Sequence, residues 1–516
     1  MNKKDESDNP LRYNSLTQKI INTKGGITLM EIVALLDELV NGLVDAEEKF
    51  YSNPSDLYSF EKATKATTDA LAVKFLSMAL SSMDEKICDS DIRKTRYNVQ
   101  RKRKRTLVSS VGDLTFDCRV YREKEVKKGG YVSILPEVLG IGKHERFTEE
   151  AEVLLYTEAL KTSYAEAAKV LPSKQKVTKT TVMNKIHGIV DEMPMTEPDK
   201  ITSTDYLYIE ADEDHVAEQH GEQVSEEGNK SFISKLVYIY DNKQDAKGYT
   251  DRKELVNKFY ISGLYSGTKG NEQLWNKVQS YIYSNYDQDT LKRIFVSGDA
   301  APWIKSGADK LDKALFCADK FHLMKYVNLA ASQMGKEEKE AVKNELWHLL
   351  YSKKKQAKAH FEKYTSDMLL TAKNPERVED LRKFALGNWA AVRRTLRNKH
   401  TNGCSAESHV SHVLSDRLSS RPMGWSQIGA DRMSKLRCYE RNYGREKIID
   451  LVRYSRDVQK GYRTGTSYEV IKQFSLREVT AEHRNKARGY IDALQVTIPG
   501  MTAKKTAAIR TQLDML

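Results

Sequence analysis

The sequence predicts an α/β core with a mixed five-stranded sheet, and the order of its apolar segments is the basis for that prediction. Three strand-like segments, 205–219, 231–240 and 254–261, precede a helical stretch. Two short apolar runs, 293–297 and 315–318, come next, each followed by a helical stretch. Their β-branched and aromatic composition is typical of buried strands. We therefore expect three strands, then alternating helices and strands.

Acidic residues follow the last two predicted strands. Asp299 comes after the fourth strand, and Asp319 and His322 come after the fifth, on the opening turn of a helix. Ligands bind beyond the carboxyl ends of the strands in open α/β sheets, and residues three apart share a helix face. Asp299 could instead cap the helix that Pro302 opens. Both interpretations fit this stretch.

The composition is that of a folded, multidomain protein with an excess of basic residues. The chain has 516 residues, 40% of them hydrophobic and 30% charged. This length and composition fit about two to four folded domains. The 84 basic residues against 72 acidic ones give a formal charge of +12. Such an excess favours a polyanionic partner, most simply a nucleic acid.

Cysteine usage and hydropathy exclude several other classes of protein. The five cysteines are isolated, and no Cys-x-x-Cys pair occurs. This pattern argues against a zinc ribbon and against a disulfide framework. The N-terminal residues lack the apolar run of a signal peptide, and no uninterrupted apolar run reaches about 18 residues. We therefore expect a cytoplasmic protein that does not span a membrane.

Changes in composition divide the chain into seven segments. They are a helical N-terminal region (1–90), a basic β-hairpin element (91–145), a helical region (146–195), the first part of the core (196–323), a helical insertion (324–400), a core helix carrying an acid (401–437) and a helical, basic C-terminal region (438–516). Amphipathic runs in 1–90 fit a helical hairpin or a dimerising element equally well. Three antiparallel strands followed by parallel ones are the order of a ribonuclease H-like sheet.

A basic run precedes the predicted β-hairpin. Eight basic residues lie between Arg93 and Arg105, and Gly112-Asp113 supplies a favourable hairpin turn. The run is either a solvated edge strand blunted by its charges or an arm that contacts phosphates. The candidate DNA-binding residues here are Arg101, Lys102, Arg103, Lys104 and Arg105.

Segment 146–195 resembles a helix-turn-helix unit. A helix is predicted at 147–160, a second at 163–171 with a capping-box pattern, and a third at 178–190. Two short helices around a tight polar turn are typical of this DNA-binding motif, although such pairs also occur in proteins that do not bind DNA. The candidate DNA-binding residues on the third helix are Thr178, Lys179, Thr181, Asn184 and Lys185.

Three acids occupy separate places in the predicted core. Asp212 ends the first strand, Asp299 ends the fourth, and Glu407 lies on a helix after the insertion. The first and fourth strands of a ribonuclease H-like sheet are neighbours, so their acids can meet. Clustered carboxylates repel each other unless cations share them. Mg²⁺ or Mn²⁺ suits oxygen ligands, and two such ions about 4 Å apart catalyse phosphoryl transfer on nucleic acid.

Each acid also has a simpler interpretation. Asp212 lies among several acids, so it could belong to a solvated loop, and Asp214 is a rival metal ligand. Glu407 follows Ser405 and could merely help to cap a helix. Their joint occurrence, in the right order and beside a basic segment, favours catalysis.

Four segments resemble the signature segments of bacterial insertion-sequence transposases of the ISLre type, which belong with the DDE transposases and share features with Mutator-type ones. These segments are YIEADEDHV, VSGDAAPWI, CADKFHLMKYV and SAESHVSHVLSDRLSSRPMGWS. The resemblance extends from near Arg101 to about Arg437. It implies a triad of Asp212, Asp299 and Glu407. It also implies cleavage and joining of element ends, terminal inverted repeats and target DNA as partners, and a homodimer or larger synaptic complex.

The resemblance suggests roles for three further residues or groups. Asp319 and His322 match a D-x-x-H element of related families, in which His322 would orient the site or touch the scissile phosphate; a capping or core histidine is the alternative. Trp425 would stack on a displaced base, or it is a core tryptophan. Lys353, Lys354 and Lys355 in the insertion would contact DNA.

One departure from the family pattern concerns the first acid. Many first-acid segments read Asp-Gly-Thr, whereas Asp212 is followed by Glu213 and Asp214. Val216 keeps the expected spacing, which favours Asp212 and leaves Asp214 as a possible metal or supporting ligand. The rival functions are a catalytically inactive DNA-binding protein of the same fold and a nuclease that cuts without strand transfer.

Overall fold

The structure, a computed structural model, describes residues 27, 29–126, 129–219, 231–246, 253–421 and 423–460. The chain divides into two compact units. The first comprises Met1–Ala151, Leu171–Lys176 and Arg456–Leu516, and the second comprises Glu152–Val170 and Val177–Ser455. The helical character predicted for 1–26 and 461–516 lies outside the described residues.

Two long helices dominate the described part of the first unit. Helix α1 (Leu29–Ser52) packs against helix α2 (Leu57–Asp89). Asp56 caps α2 by accepting a hydrogen bond from the Ser59 N–H. The helical hairpin, one of two alternatives for this segment, is therefore present. The short helix α3 (Asp91–Arg96) follows.

The first unit also contains a three-stranded antiparallel sheet. Strand β1 (Tyr97–Val108) pairs with β2 (Asp113–Glu123), which pairs with β3 (Tyr131–Val132). The predicted hairpin is confirmed, whereas β3 and the short helix α4 (Ile134–Val138) were not predicted. Apolar side chains of α2, all three strands and α4 form a core. It contains Ile87, Tyr97, Leu107, Phe116, Cys118, Tyr121, Ile134 and Leu135, with Val132 packed against it.

Helix α2 covers one edge of strand β2. Along that edge, backbone N–H groups donate to side chains of α2 instead of to another strand. The pairs are Thr115 to Ser77 Oγ at 3.2 Å, Asp117 to Ser81 Oγ at 3.0 Å, and Arg119 to Asp84 Oδ1 at 2.9 Å. This arrangement satisfies an edge that would otherwise be open and leaves β1 as the exposed edge of the hairpin.

A mixed five-stranded sheet forms the centre of the second unit, as predicted. Its strands are β4 (Tyr206–Ala217), β5 (Ser231–Tyr240), β8 (Phe259–Gly263), β9 (Arg293–Gly298) and β10 (Ala314–Ala318). The spatial order is β10-β9-β4-β5-β8. Strands β4, β5 and β8 are antiparallel, and β4, β9 and β10 are parallel. The first and fourth strands of the sheet are therefore neighbours.

The prediction of a single strand at 254–261 is wrong. Two strands occupy this stretch: β7 (Lys253–Val256), which pairs with the unpredicted β6 (Asn242–Asp245), and β8 of the main sheet. The break lies at Asn257, whose φ of 52° is in the left-handed region. Asparagine tolerates that conformation better than most residues, and such a residue cannot continue a strand.

Helices cover the main sheet. One core holds side chains of β4, β9, α8 (Gly267–Asn285) and α9 (Pro302–Lys310), among them Leu207, Ile209, Trp275, Val296 and Ile304. Pro302 occupies the first turn of α9, as predicted. Apart from α1–α4 of the first unit, the remaining helices that the structure describes outside the insertion are α5 (Glu149–Ala159), α6 (Tyr164–Ala167), α7 (Lys179–His187), α15 (Ala406–Val410), α16 (Asp416–Leu418), α17 (Gln427–Tyr443) and α18 (Ile448–Lys460). A π-helical turn (Ser411–Ser415) and a 3₁₀ turn (Arg445–Lys447) complete this part.

Five helices follow β10 and share a core of their own. They are α10 (Lys320–Ala331), α11 (Lys339–Tyr351), α12 (Ala357–Thr371), α13 (Pro375–Gly387) and α14 (Trp389–Arg397). The long helices predicted at 337–357 and 376–398 are shorter or interrupted. Ser352 is extended after α11, and Asn388 separates α13 from α14. Of the helices that the structure describes, none is long and apolar enough to cross a membrane.

Candidate functional site

The register of two parallel strands places Asp212 and Asp299 side by side. The last pairs between β4 and β9 are Ile209 with Val296 and Glu210 with Ser297. The same offset continued by two residues brings Asp212 level with Asp299. The prediction that Asp212 ends its strand is wrong, because β4 continues to Ala217 and pairs with β5 along that length. Asp299 follows the last residue of β9, so the two acids lie at the level where β9 ends and β4 continues. Ligands bind beyond the carboxyl ends of strands in open α/β sheets, and β9 ends at this level.

The turn after β9 orients Asp299. Its carboxylate oxygen Oδ1 accepts the Ala301 N–H at 2.9 Å. Between them, Ala300 has a φ of 72°, a left-handed conformation that non-glycine residues rarely adopt. The N-cap residue of α9 is Ala301, so Asp299 supports the turn before the helix and does not serve as its N-cap.

Asp319 and His322 join the same end of the sheet. Strand β10 pairs Ala318 with Gly298, and the Asp319 N–H donates to the Gly298 carbonyl at 2.8 Å. Asp319 caps α10 through the Phe321 N–H, and its other oxygen lies 2.7 Å from His322 Nδ1. The predicted shared face is confirmed. Asp319 combines the capping role with a hydrogen bond to the histidine.

The electrostatics of these groups are coupled. Burial, helped by the negative charges of Asp299 and Asp319, raises the pKa of Asp212 to about 6, although the Glu213 N–H opposes the shift. The hydrogen bond that His322 donates to the Asp319 carboxylate raises the pKa of His322 against the effect of burial, and the charges of Asp319, Asp212 and Asp299 add to the rise. A partly buried group of carboxylates attracts positive charge. Its oxygen donors are those that hard divalent cations prefer.

Glu407 lies on α15, which packs against β4. Its side chain is exposed. The segment before α15 is held to β4 because the Ser405 N–H donates to Glu210 Oε2 at 2.5 Å. Among the residues that the structure describes, no three Asp, Glu, His or Cys side chains form a group that could hold a metal ion. Asp212, Asp299, Asp319 and His322 lie near one another without forming such a group, and Glu407 lies on a helix that packs against the strand of Asp212.

Asp214, the alternative to Asp212 as the first metal ligand, has Ser419 as its hydrogen-bond partner. It is 7% exposed, and its Oδ1 accepts the Ser419 hydroxyl at 2.8 Å, while Oδ2 is buried without a partner. Burial raises the pKa of Asp214, and the hydrogen bond from Ser419 opposes the shift. Asp214 therefore packs against the turns that follow α15.

Sequence reasoning did not single out Glu210. This carboxylate is 2% exposed and accepts hydrogen bonds from two tyrosines of β5 and from Ser405. The available signal is the Tyr238-x-Tyr240 spacing opposite an acid in an antiparallel strand. That signal can be recognised only once the strand register is known.

The basic strand of the first unit is exposed along most of its length. Residues 98–104 of β1 are all exposed. Lys102 Nζ lies 2.8 Å from an Asp117 carboxylate oxygen on β2. Arg105 is only partly exposed, and its guanidinium donates to the carbonyls of Gly142 at 2.8 Å and Glu145 at 3.0 Å. Arg101, Arg103 and Lys104 are exposed, whereas Arg105 supports a loop.

The candidate DNA-binding residues around α7 divide in the same way. Thr178 and Thr181 form the capping box at its start, so both hydroxyls contribute to the helix end. Lys185 forms an ion pair with the buried Glu152. Lys179 and Asn184 are exposed. Lys179 and Asn184 could therefore contact a ligand without breaking the capping box or the ion pair between Lys185 and Glu152.

Trp425 is a core tryptophan, which was one of its two predicted alternatives. Its side chain is 5% exposed. The Arg417 guanidinium lies 4.6 Å from the ring centroid, and the Tyr164 ring packs edge-on at 5.8 Å. The Trp425 backbone N–H donates to the Ala217 carbonyl at the end of β4. A base cannot stack on this ring as it stands. The lysines at 353–355, by contrast, are exposed between α11 and α12.

Comparisons with known proteins identify relatives along most of the chain. A model of an uncharacterised protein family, UPF0236, matches residues 52–453. A UPF0236 protein of Caldanaerobacter subterraneus subsp. tengcongensis is 31% identical over 406 residues, which cover 78% of this chain and 81% of that relative. The name of that relative joins eleven locus designations. A second UPF0236 protein of the same organism is 32% identical over 384 residues, covering 74% of this chain and 78% of the relative.

A search of solved structures matches a chain of the Drosophila P element transposase strand transfer complex at 10% identity and a TM-score of 0.20, covering 72% of this chain and 92% of that chain. A likeness at this TM-score carries no argument about function. The family model, together with relatives more than 30% identical, is decisive: the chain belongs to the uncharacterised protein family UPF0236.

Proposed function

We propose that this protein is a DDE-type DNA transposase of the ISLre type with a ribonuclease H-like core, and that it cleaves the ends of its element and joins them to target DNA. The observation that carries the proposal is the register of two neighbouring parallel strands, which brings Asp212, inside β4, level with Asp299, just beyond the end of β9. The strand order, with the first strand between the second and the fourth, supports the ribonuclease H-like assignment.

The residues that would hold divalent cations are Asp212 and Asp299, with Glu407 as the third ligand and Asp214 as the alternative to Asp212. Their carboxylate oxygens match Mg²⁺ or Mn²⁺, and the negative charges of Asp299 and Asp319 near Asp212 favour a cation there. When bound, two such ions supply the Lewis acidity that activates a water or hydroxyl and stabilises the leaving oxygen. His322 lies beside these acids, and its hydrogen bond to Asp319 raises the pKa of the imidazole.

The exposed basic strand of the first unit is the candidate phosphate-binding surface. Strand β1 is the exposed edge of its sheet, and residues 98–104 present their side chains to solvent, where they could contact phosphates. The exposed Lys179 and Asn184 of α7 are a second candidate contact, as are the lysines at 353–355. Since two element ends must be brought together, a homodimer or larger synaptic complex is part of the proposal.

Two further points support a mobile-element protein. The four signature segments occur in order along the chain, with the helical insertion between the second and third acids. One relative carries eleven locus designations of a single organism in its name, as expected when a gene is repeated by transposition.

The decisive test is cleavage and joining of end-labelled DNA carrying the sequences that flank the gene, with Mg²⁺ or Mn²⁺. The wild type is compared with Asp212→Asn, Asp299→Asn and Glu407→Gln, and with Asp289→Asn as a matched control because Asp289 is exposed on a loop outside the site. We expect joined products from the wild type and the control only, with DNA binding intact throughout.

The other outcomes identify the rival functions. Cleavage without joining would indicate a nuclease without strand transfer. Binding without cleavage by the wild type would indicate a catalytically inactive DNA-binding protein. If Asp212→Asn keeps its activity and Asp214→Asn loses it, Asp214 is the first metal ligand.

A further inference from the structure

Glu210 is a buried carboxylate in the middle of strand β4. Its side chain is 2% exposed, two residues before Asp212. A buried carboxylate is costly unless hydrogen bonds replace its water. Both oxygens of Glu210 have partners: Oε1 accepts the Tyr240 hydroxyl at 2.6 Å, and Oε2 accepts the Tyr238 hydroxyl. Lys243 Nζ lies 3.9 Å from Oε1.

The remaining partner of Glu210 comes from another element. Ser405 donates its backbone N–H to Oε2 at 2.5 Å, and its hydroxyl lies 3.2 Å from the same oxygen. Ser405 directly precedes helix α15, and Glu407 is in the first turn of that helix. One carboxylate thus links the strand of Asp212, the neighbouring strand and the start of the helix that carries the third acid.

The far side of Glu407 is held by the same face of the sheet. His409, two residues after Glu407, stacks on the Tyr238 ring at 4.3 Å between centroids. The Tyr260 hydroxyl lies 2.9 Å from His409 Nδ1. Tyr238 therefore contacts both the Glu210 carboxylate and His409. Contacts on both sides of Glu407 fix its backbone while the side chain stays exposed.

A purely structural role would not require an acidic side chain here. An apolar residue of similar size often stabilises a buried site as well as an ion does, whereas a hydrogen-bonded polar group fixes one geometry. Groups that orient the residues of a metal site affect ligand binding nearly as strongly as the ligands do. Glu210 has the position and the partners for such a role.

We propose that Glu210, through Tyr238, Tyr240 and Ser405, is a positioning residue that sets Glu407 relative to Asp212. The inference rests on the proposed function, in which Glu407 is the third metal ligand. Glu210 itself would not bind the metal ion, because both of its oxygens already accept hydrogen bonds. Its effect is to hold α15 in one place on strand β4.

The test measures Mn²⁺ binding by electron paramagnetic resonance on the full-length protein without DNA. Tyr240→Phe removes one hydrogen bond to Glu210 and leaves the ring, so it should weaken Mn²⁺ binding about tenfold. Tyr238→Phe should act in the same direction. The matched control is Tyr283→Phe, because that exposed tyrosine donates to a different carboxylate, Asp312, at 3.3 Å. Excess Mn²⁺ should restore cleavage by the Phe variants, and DNA affinity should not change.

A double-variant comparison separates positioning from general destabilisation. In a Glu407→Gln background, Tyr240→Phe should weaken Mn²⁺ binding no further, since its effect passes through residue 407. An equal loss in both backgrounds would overturn the inference, as would unchanged Mn²⁺ binding in both Phe variants. If the wild type itself binds no Mn²⁺, the proposed function fails and this inference fails with it. Wild-type Mn²⁺ binding that neither tyrosine affects refutes the positioning role alone.

Discussion

Gly298 on β9 lies against the backbone of Ala211 on β4, so closely that a Cβ at residue 298 would meet the Ala211 carbonyl oxygen at 2.7 Å. The same Cβ would meet Ile304 Cδ1 at 2.7 Å. The absence of a side chain therefore permits the close approach of two parallel strands just before their acids. The approach lies directly before the level at which the strand register places Asp212 and Asp299.

Replacing Gly298 by alanine should separate the two strands and disturb both acids. We expect Gly298→Ala to lower the free energy of unfolding by about 1–3 kcal/mol, the usual cost of overpacking, and to weaken Mn²⁺ binding. Urea unfolding and Mn²⁺ titration are the measurements. Gly387→Ala is the control, because nothing lies within 4 Å of a Cβ there and alanine favours a helix. Equal unfolding midpoints for the two variants would contradict the prediction.

Asp212→Asn should stabilise the metal-free protein. The folded-state pKa of Asp212 is raised from 3.8 to about 6. The folded form then binds more protons between these values, and stability falls as the pH rises through this window. Removing the charge should add about 1–3 kcal/mol at pH 7. Thermal unfolding in EDTA measures this gain.

Adding Mn²⁺ should reverse the order of thermal stability of the wild type and Asp212→Asn. It should raise the Tm of the wild type and leave that of Asp212→Asn nearly unchanged, because only the wild type keeps the ligand. Asp214→Asn serves as the comparison. A Tm that still rises with Mn²⁺ in Asp212→Asn but not in Asp214→Asn would transfer the ligand role to Asp214.

Protonation of His409 should destabilise the fold at mildly acid pH. Burial lowers the pKa of His409 to about 4, against the opposing charge of Glu210. The unfolded chain takes up this proton near pH 6.5, so the stability due to neutral His409 is complete above pH 6.5. It is lost as the pH falls towards 4 and amounts to at most about 3 kcal/mol.

Urea unfolding in EDTA between pH 7 and pH 4.5 tests this window. His409→Gln should flatten the dependence of the unfolding free energy on pH. His360→Gln should leave it unchanged, because His360 is exposed on α12. A slope that survives in His409→Gln would assign the acid sensitivity to other groups.

The strands and their acids could be predicted because local signals coincide there. Each of the runs at 293–297 and 315–318 is short, apolar and followed by an acid, and Pro302 marks the next helix. The break at Asn257 could not be predicted, since the apolar pattern continues across it and only the backbone conformation interrupts the strand. The pattern of apolar residues predicts which side chains are buried, but it does not predict where a strand is interrupted.

The contacts of Glu210 could not be predicted from the sequence, for a different reason. Glu210 and Ser405 are 195 residues apart, and their contact depends on how the chain returns after the helical insertion. The opposition of Glu210 to Tyr238 depends on strand register, which no local spacing specifies. Trp425 shows the same limit, because its burial follows from packing against Arg417 and Tyr164.

Exposed basic residues of β1 should contribute more to DNA affinity where no carboxylate of the protein already pairs with them. Arg101 and Lys104 are exposed, whereas Lys102 lies 2.8 Å from Asp117. Each phosphate contact releases counterions, so Arg101→Ala and Lys104→Ala should each reduce the slope of log K against log salt by about 1. Fluorescence anisotropy with duplex DNA at several salt concentrations gives this slope.

Two variants on the same strand separate DNA contact from structural support. Lys102→Ala should change the slope less, because the lysine already neutralises a carboxylate. Arg105→Ala should lower the Tm with little change in slope, since its guanidinium holds the Gly142 and Glu145 carbonyls. If Arg101→Ala and Lys104→Ala leave the slope unchanged, β1 is a solvated edge strand whose charges prevent aggregation. The DNA contacts would then lie on other basic surfaces.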